Sequence, residues 1–281
     1  VRLTGVSTAS SPAGQVGFFL WGHVPEPFTL FQGIRSLPAG TTLWLDERNE
    51  RREKRFFSVR ETFAQATASG TRESAPEAVR EALRDSVAHH LVADVPVGVF
   101  LSSGLDSTTL AALAAEQGGR LRTVTLGFEE YRGTPDDEVP LAEQLARQFG
   151  TEHQTVWVGR REFEAHVERL FHAMDQPTTD GANTYFVSLA ASRAGLKVAL
   201  SGLGGDELFG GYPSFRQIPR SVRLFNRLSF LDRLGKPFRI ASAPIVRRLT
   251  SPKYAGVLEY GGTYSGSYLL RRGMFMPWEI P

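Results

Sequence analysis

The chain has 281 residues, of which 41% are hydrophobic and 22% are charged, a balance typical of a globular protein. No apolar run approaches the roughly 18 residues that a membrane-spanning helix needs, so no membrane partner is predicted. The sequence has no cysteine, which excludes disulfide bonds, thiolate zinc sites and a cysteine nucleophile within these residues and fits a cytoplasmic protein.

The basic residues are concentrated at one end of the chain. The net charge is only +2, but 12 of the 32 basic residues and only 3 of the 30 acidic residues follow Tyr212. A tRNA or another phosphate-rich ligand is one interpretation of such a segment. A solvated helical face that balances an acidic neighbour is the simpler one, because the aromatic and basic residues do not alternate as they do in RNA-binding modules. We therefore predict no nucleic-acid partner.

Residues 1–58 form a first part that is rich in proline and glycine. Short strands are predicted at 17–20, 28–31 and 41–45, and a charged connector is predicted over 46–58. This part contains no cluster of catalytic residues.

Residues 59–214 alternate between apolar strands and helical segments of about 10–15 residues, the pattern of a doubly wound parallel α/β sheet. Residues 215–281 are basic and predicted to be helical as far as 249. The predicted strands are 97–101, 122–128, 155–158 and 197–201, and the helices between them are 76–93, 105–116, 141–149, 161–174 and 185–194.

The central motif is VGVFLSSGLDSTTLAAL, residues 97–113. An apolar strand runs into a turn of small residues and then into a helix, which Asp106 or Ser107 is predicted to cap. Free backbone N–H groups and the helix dipole at such a turn attract an anion, and serine and glycine let a phosphate approach closely. Because the Asp106 carboxylate would repel a phosphate unless a divalent metal lay between them, the motif predicts a Mg²⁺-pyrophosphate site.

Other nucleotide and hydrolase signatures are absent. No G-x-x-x-x-G-K-[ST] sequence occurs, no G-x-G-x-x-G opens a helix, and no G-x-S-x-G is present. These absences exclude a Walker P-loop, a dinucleotide fingerprint and a hydrolase nucleophile elbow.

A second motif, KVALSGLGGDELFGGY, covers residues 197–212 and again joins a strand to a Ser-Gly turn with acidic residues. Two such strand ends suit one ligand held across the carboxyl edge of a parallel sheet. With both motifs present, the chain resembles glutamine-dependent asparagine synthetases, in which an SGGLDS loop and an SG-x-G-x-DE-x-FGGY loop bracket ATP.

The resemblance implies ATP and Mg²⁺ as cofactors and assigns roles to individual residues. Asp106 and Asp206 would carry Mg²⁺ as the catalytic carboxylates, Phe100 and Leu126 would flank the adenine unless they are simply core residues, and Ser201 and Gly202 would offer backbone contacts. The phosphates would be held by Ser102, Ser103, Gly104, Asp106 and Ser107. The polar loop at 180–184 is a further candidate for contact with the amino-acid substrate.

The resemblance also implies the reaction and the organisation of the chain. A substrate carboxylate, most simply aspartate, would be adenylated, and ammonia derived from glutamine in the intact protein would displace AMP. Residues 1–58 resemble the closing segment of the family's glutaminase domain, whose nucleophilic cysteine is not in this sequence. We therefore interpret the chain as a fragment that binds nucleotide without completing amide synthesis, from an intact protein that could be a homodimer.

Two positions depart from the family pattern. Ser103 replaces the first glycine of SGG, which would cause strain if that position required a positive φ. Leu203 stands where many asparagine synthetases have an acidic residue, which puts the amide-forming step or the substrate in question. An amidotransferase or cyclising ligase of the same fold acting on another carboxylate, a non-catalytic nucleotide-binding module and a tRNA-modifying relative are the alternatives.

Overall fold

The computed structural model describes residues 5–65, 75–227 and 234–280, and these divide into two units. The first unit contains residues 5–65, 176–179 and 210–280, and the second contains 75–175 and 180–209. Among the helices described, none is long and apolar enough to cross a membrane. In chain order the helices and strands are α1 (Pro12–Trp21), β1 (Thr41–Leu45), β2 (Arg51–Arg55), α2 (Val59–Gln65), α3 (Ala75–His90), β3 (Val97–Phe100), α4 (Leu105–Glu116), β4 (Arg122–Phe128), α5 (Val139–Phe149), β5 (Glu152–Val158), α6 (Arg160–Ala173), α7 (Gly181–Arg193), β6 (Val198–Leu200), α8 (Gly205–Phe209), α9 (Ser214–Asn226), α10 (Gly235–Leu249), α11 (Val257–Tyr260) and α12 (Tyr264–Arg272).

The second unit is built on a parallel sheet, which confirms the predicted fold class. Its strands lie in the order β5-β4-β3-β6, and each neighbouring pair is parallel. Parallel strands need crossover connections, and the helical segments between the strands provide them. Because β3 pairs with both β4 and β6, the segments that follow β3 and β6 emerge side by side at the carboxyl edge of the sheet.

Apolar side chains cover both faces of this sheet. On one face, Val99 and Leu101 pack with Ala111 of α4 and Ala142 of α5 in one buried cluster. A second cluster joins strands β4 and β5 to α7, and its buried members are Val124, Val156, Ala190, Ala191 and Leu196. Burial on both faces explains why the strands read as continuous apolar runs rather than as alternating patterns.

Two of the strands predicted in the first unit are wrong. Residues 17–20 belong to helix α1, which begins after Ser11, whose hydroxyl accepts a hydrogen bond from the Gly14 N–H, and which ends at Gly22 in the left-handed region with φ 76°. Residues 28–31 form no strand and pair only through an isolated bridge between Ser10 and Phe31. An apolar run of four residues, such as 17–20, is compatible with a helix or a strand. The caps at its two ends favour the helix.

The predicted connector at 46–58 is also wrong in its central part, because Arg51–Arg55 forms strand β2. This strand pairs antiparallel with β1, whose position at Thr41–Leu45 was predicted correctly. Asp46 organises the turn by accepting hydrogen bonds from the N–H groups of Arg48 and Glu50. All five residues of β2 are charged and exposed, so the strand has no apolar–polar alternation from which it could be predicted.

The segment after residue 213 is helical, as predicted, over α9 and α10. Its Gly-, Tyr- and Ser-rich continuation also contains helices, α11 and α12. Leu269, Leu270 and Met276 form a buried cluster here. Arg239 forms an ion pair with Glu259 at 2.9 Å and lies 4.3 Å above the Trp278 ring, so this cation stabilises the fold locally.

Candidate functional site

The first loop of the site connects β3 to α4 in the second unit. Gly104 is the N-cap of α4, with φ −69° and ψ 149°, and Asp106 and Ser107 lie in the first turn of the helix. The predicted capping role of Asp106 or Ser107 is therefore wrong. The N-cap lies two residues before Asp106 and three before Ser107, and the Ser107 hydroxyl bonds back to the loop instead.

The Ser107 side chain is buried and organises the loop. Its Oγ accepts a hydrogen bond from the Ser102 N–H at 3.1 Å, lies 2.8 Å from the Ser102 Oγ and donates to the carbonyl oxygen of Gly104. The Ser102 hydroxyl in turn accepts from the Gly104 N–H at 3.1 Å. These hydroxyl groups fix the shape of the loop before any ligand arrives.

The backbone at the start of α4 has free donors. Within the described part of the chain, nothing accepts a hydrogen bond from the N–H groups of Leu105, Asp106 and Ser107. These donors lie at the positive end of a helix of 12 residues, where an anion is stabilised. The structure therefore places free backbone donors at the turn where an anion is predicted, and the anion site itself stays a prediction.

Ser103 fits this loop without strain. Among the described residues, Asn49 is the non-glycine residue with a positive φ, so Ser103 does not adopt the left-handed region. The strain that a serine would cause there does not arise, and the replacement of glycine at this position leaves the loop intact.

The second loop, between β6 and α8, packs directly against Asp106. A methyl group added at Gly202 would lie 2.8 Å from the Ser107 nitrogen and 3.0 Å from the Asp106 Cβ. One added at Gly205 would overlap the Asp106 carboxyl group, with Oδ1 at 2.7 Å. A side chain at either position would displace the first loop or the Asp106 carboxyl group, so the second loop packs directly on the first.

Gly205 did not figure among the predicted site residues, although a signal for it existed. The sequence Gly204-Gly205 precedes the acidic pair Asp206-Glu207, and Gly204 has a φ of 98°. Two successive glycines at the start of a short helix indicate close backbone packing, which here is packing on Asp106.

The carboxylates of the site fit a Mg²⁺ ion that is shared with phosphates. Gly205 touches the Asp106 carboxyl group and directly precedes Asp206 in α8. No group of three or more histidine or acidic side chains that could hold a metal occurs within the described ranges. Mg²⁺ typically takes one or two carboxylates and completes its shell with phosphate oxygens and water, so this donor set suits it.

The remaining predicted site residues lie near the same edge in less distinctive surroundings. Phe100 and Leu126 are half-buried and pack on the cluster around Val124 and Ala190, so a role beside the adenine stays a prediction. Ser201 is exposed, and its hydroxyl accepts a hydrogen bond from the Leu203 N–H at 3.2 Å. The segment 180–184 is not a loop as predicted: helix α7 begins at Gly181.

A cavity of about 190 Å³ lies at the opposite, amino end of the sheet. It is lined by Arg122, Thr123, Val124, Glu152, His153, Gln154 and Ala194. Burial lowers the pKa of the His153 imidazole, while Glu143 opposes this shift and Arg147 reinforces it. The polar groups here bond to one another: Thr123 Oγ1 lies 2.7 Å from Thr151 Oγ1 and 2.9 Å from His153 Nδ1.

Comparison with known proteins identifies a family for this chain. The family model described as "Asparagine synthase" matches residues 78–271, which include both loops. The chain belongs to the asparagine synthase family.

Curated relatives carry the same family name. The chain is 36% identical over 253 residues to a Mycobacterium tuberculosis protein provisionally named an asparagine synthetase (glutamine-hydrolysing), a match over 89% of this chain and 37% of that protein. It is 33% identical over 207 residues to asparagine synthetase 1 of Bacillus subtilis, covering 73% of this chain and 31% of that protein. It is 32% identical over 209 residues to asparagine synthetase B of Escherichia coli, covering 68% and 36%. The chain therefore spans less than two fifths of the length of these family members.

Proposed function

We propose that this chain is the nucleotide-binding part of an ATP-dependent amide-forming ligase that activates a carboxylate by adenylation. The observation that carries the proposal is the meeting of two glycine-containing loops at Asp106, beside the free N–H groups of the α4 N-terminus. Family membership supports the ATP-dependent chemistry, and the position of the loops supports their use for the phosphates.

The proposed chemistry is a transfer of the AMP group. A carboxylate oxygen attacks the α-phosphorus of ATP, the bond to the bridging oxygen breaks, and its electron pair leaves with pyrophosphate. The N–H groups of Leu105, Asp106 and Ser107 bind the negative charge that develops on the leaving group. Mg²⁺, when bound, neutralises charge on the phosphate oxygens. Asp106 and Asp206 would hold Mg²⁺, whose charge would make the two carboxylates tolerable beside pyrophosphate.

The second half of the reaction forms the amide bond. Ammonia attacks the carbonyl carbon of the acyl-adenylate and AMP leaves, and in the intact protein the ammonia comes from glutamine. The proposal treats residues 1–58 as the end of a glutaminase-type domain, 59–214 as the synthetase core and 215–281 as a helical continuation.

Two carboxylates are candidates for the substrate. Aspartate is the one that the names of the relatives favour. A different carboxylate is favoured by Leu203, which is 91% exposed on the second loop at a position where many asparagine synthetases have an acidic residue.

The test is the thermal stabilisation of the chain by Mg-ATP. A ligand that binds only the folded state raises its stability, by about 2.7 kcal/mol at a concentration of 100 Kd. We expect Asp106→Asn to remove most of the rise in Tm, because the neutral amide holds Mg²⁺ poorly. Asp94→Asn is the matched control, since Asp94 is an exposed aspartate at the amino end of the same sheet.

Two results would contradict the proposal. A full rise in Tm with Mg-ATP in Asp106→Asn would contradict the metal role of Asp106. If Mg-ATP and Mg²⁺ alone raised the Tm of the unmodified chain by the same small amount, there would be no evidence for a nucleotide site.

A further inference from the structure

Helix α9 in the first unit carries a straight line of exposed arginines. They follow the spacing i, i+4, i+7, i+11, and the last of them is the C-cap residue of the helix. Because successive residues of an α-helix are about 100° apart, the four lie within an arc of about 60° and extend over about 16 Å. We call these residues the arginine stripe: Arg216, Arg220, Arg223 and Arg227.

The opposite face of α9 packs against the rest of the first unit. Ile218 and Val222 are buried on that face. Ser221 Oγ accepts a hydrogen bond from Ser267 Oγ of α12 at 3.1 Å. Since the inner face of the helix is held in this way, the arginine stripe is fixed on the outer face, toward solvent.

No acidic group balances the arginine stripe within the part of the chain that the structure describes. Helix α9 contains no aspartate or glutamate. None of the four arginines takes part in an ion pair found among the described residues. Arginines on other helices do have such partners, for example Arg84 with Glu116 and Arg160 with Glu164. The arginine stripe is therefore not one half of an internal ion-pair network.

The arginine stripe opposes the stability of the helix that carries it. Residues three and four positions apart are neighbours on a helix surface, where like charges repel each other. Arg216 lies in the first turn, where the helix dipole also disfavours a cation. Arg223 donates a hydrogen bond only to the Pro219 carbonyl oxygen of the same helix, at 3.2 Å. A repulsive feature without internal compensation is typical of a functional surface, and here the function is to bind an anion.

The length of the arginine stripe favours a chain of negative charges. A small anion engages one or two guanidinium groups, whereas four in a line over about 16 Å match a polyanion. A lipid surface fits less well, because an interfacial helix needs an exposed apolar face and the apolar face of α9 is buried. A nucleic-acid duplex carries about one phosphate charge per 1.7 Å of its axis, and the guanidinium fork suits phosphate.

Two amide side chains flank the arginine stripe. Gln217 and Asn226 lie on its two sides and are exposed. An amide both donates and accepts hydrogen bonds, as does the 2′-hydroxyl group that distinguishes RNA from DNA. The prediction of no nucleic-acid partner rests on the lack of alternating aromatic and basic residues, which concerns modules that stack bases. Contacts to phosphates do not need that alternation.

We propose that the arginine stripe binds the phosphate backbone of RNA without reading its sequence. The guanidinium groups contact phosphate oxygens, and Gln217 and Asn226 contact the 2′-hydroxyl groups beside them. The inference is independent of the proposed function, because the arginine stripe lies in the first unit and the two glycine-containing loops lie in the second.

The experiment measures the binding of a fluorescein-labelled RNA duplex of about 16 base pairs to the full 281-residue chain by anisotropy. The salt concentration is varied from about 50 to about 200 mM, and each lost phosphate contact reduces the slope of log K against log salt by about 1. We expect Arg216→Gln with Arg220→Gln to reduce the slope by about 2. Replacing all four arginines by glutamine should weaken binding at about 50 mM salt by at least about tenfold.

The matched control is Arg48→Gln with Arg60→Gln. Both residues are exposed in the same unit, outside the arginine stripe, so the control removes the same charge elsewhere. It should leave the slope unchanged. The Tm of the fourfold variant should stay the same or rise, because repulsion along α9 is relieved, and this shows that weaker binding does not come from unfolding.

Several outcomes would overturn the inference. An equal loss of slope in the control would reduce the effect to net charge, and RNA binding that survives the fourfold substitution would place it elsewhere. A DNA duplex that binds as tightly as the RNA overturns the choice of RNA. Competition by polyglutamate at equal ionic strength that matches competition by unlabelled RNA assigns the surface to an acidic protein. Sedimentation with phosphatidylserine vesicles that needs the four arginines, without RNA binding, assigns it to a membrane.

Discussion

The two ends of the parallel sheet in the second unit differ in whether their polar groups have hydrogen-bond partners. At the amino end, Thr123 bonds to Thr151 and His153, and Arg122 lies 3.6 Å from Glu152. At the carboxyl end, the serine hydroxyls bond within the first loop, but the N–H groups that open α4 have no acceptor among the described residues. Both ends are polar, and at the carboxyl end three described backbone N–H groups in one turn have no acceptor.

We infer from this difference that the amino end is a structural polar cluster and that the carboxyl end is the candidate binding site. Groups that satisfy one another contribute stability and have little left to offer a ligand. Donors held in place without a protein acceptor exchange water for a charged acceptor when an anion binds, which is a net gain. The cavity at the amino end is therefore a weaker candidate for function than the open edge at Asp106.

The strongest test of this contrast is Gly205→Ala. The new methyl group would overlap the Asp106 carboxyl group, which must rotate away from its position at the site. Because the end of a flexible side chain moves at little cost, we expect a small change in stability but loss of most of the Tm response to Mg-ATP, as in Asp106→Asn.

The control for this prediction is Gly262→Ala in the first unit, where the nearest neighbour of the added methyl group would lie 3.8 Å away. It should preserve the response to Mg-ATP. A full response in Gly205→Ala would mean that the packing of the second loop on Asp106 is irrelevant to nucleotide binding.

A smaller effect is expected for Ser107→Ala, which removes the hydroxyl that fixes the first loop. The Ser102 N–H loses its acceptor inside a partly buried loop, so we expect a loss of about 1–2 kcal/mol in the free energy of unfolding, measured with denaturant. The response to Mg-ATP should weaken as well, because the loop is no longer preformed.

Thr109→Ala is the comparison on the same helix. Its hydroxyl donates only to the Leu105 carbonyl oxygen and is exposed, so its loss should change stability by less than about 0.5 kcal/mol. Equal effects of the two substitutions would contradict the assignment of Ser107 as the organising residue.

The smallest effect concerns pH at the amino end. Burial lowers the pKa of His153 in the folded chain below its usual value of 6.5. As the pH falls below 6.5, the unfolded chain takes up this proton before the folded one, so stability is lost toward acid and is fully present above 6.5. We expect His153→Gln to reduce the loss of stability between about pH 8 and about pH 5 by less than about 1 kcal/mol, since the ring is only partly buried.

The same substitution sharpens the comparison of the two ends. His153→Gln should leave the Tm response to Mg-ATP at neutral pH intact, because the residue lies at the end away from Asp106. If His153→Gln removed both the pH dependence and the Tm response to Mg-ATP, the two ends of the sheet would be coupled. That result would contradict our view that they act independently.

Local signals in the sequence predicted the second unit well. The strands at 97–101 and 122–128 and the helices between them were recognised because long apolar runs and glycine stops repeat there with the period of an α/β fold. The first unit was predicted less well. The apolar run at 17–20 belongs to a helix whose Ser11 cap outweighs its strand-like composition, and the five charged residues of β2 pair without any apolar pattern.

By itself, the sequence determined the parallel sheet, the turn of small residues before α4 and the presence of two acidic strand-end motifs, because each depends on residues close together in the chain. Only the tertiary structure decided that Gly104 caps α4, that Ser107 holds the first loop, and that Gly202 and Gly205 pack on Asp106. These features depend on contacts between segments about a hundred residues apart, or on competition between hydrogen bonds of similar strength, and neither is encoded in local periodicity. The exposure of Leu203 has the same origin: its side chain stands in solvent because the glycines around it hold the backbone against the first loop.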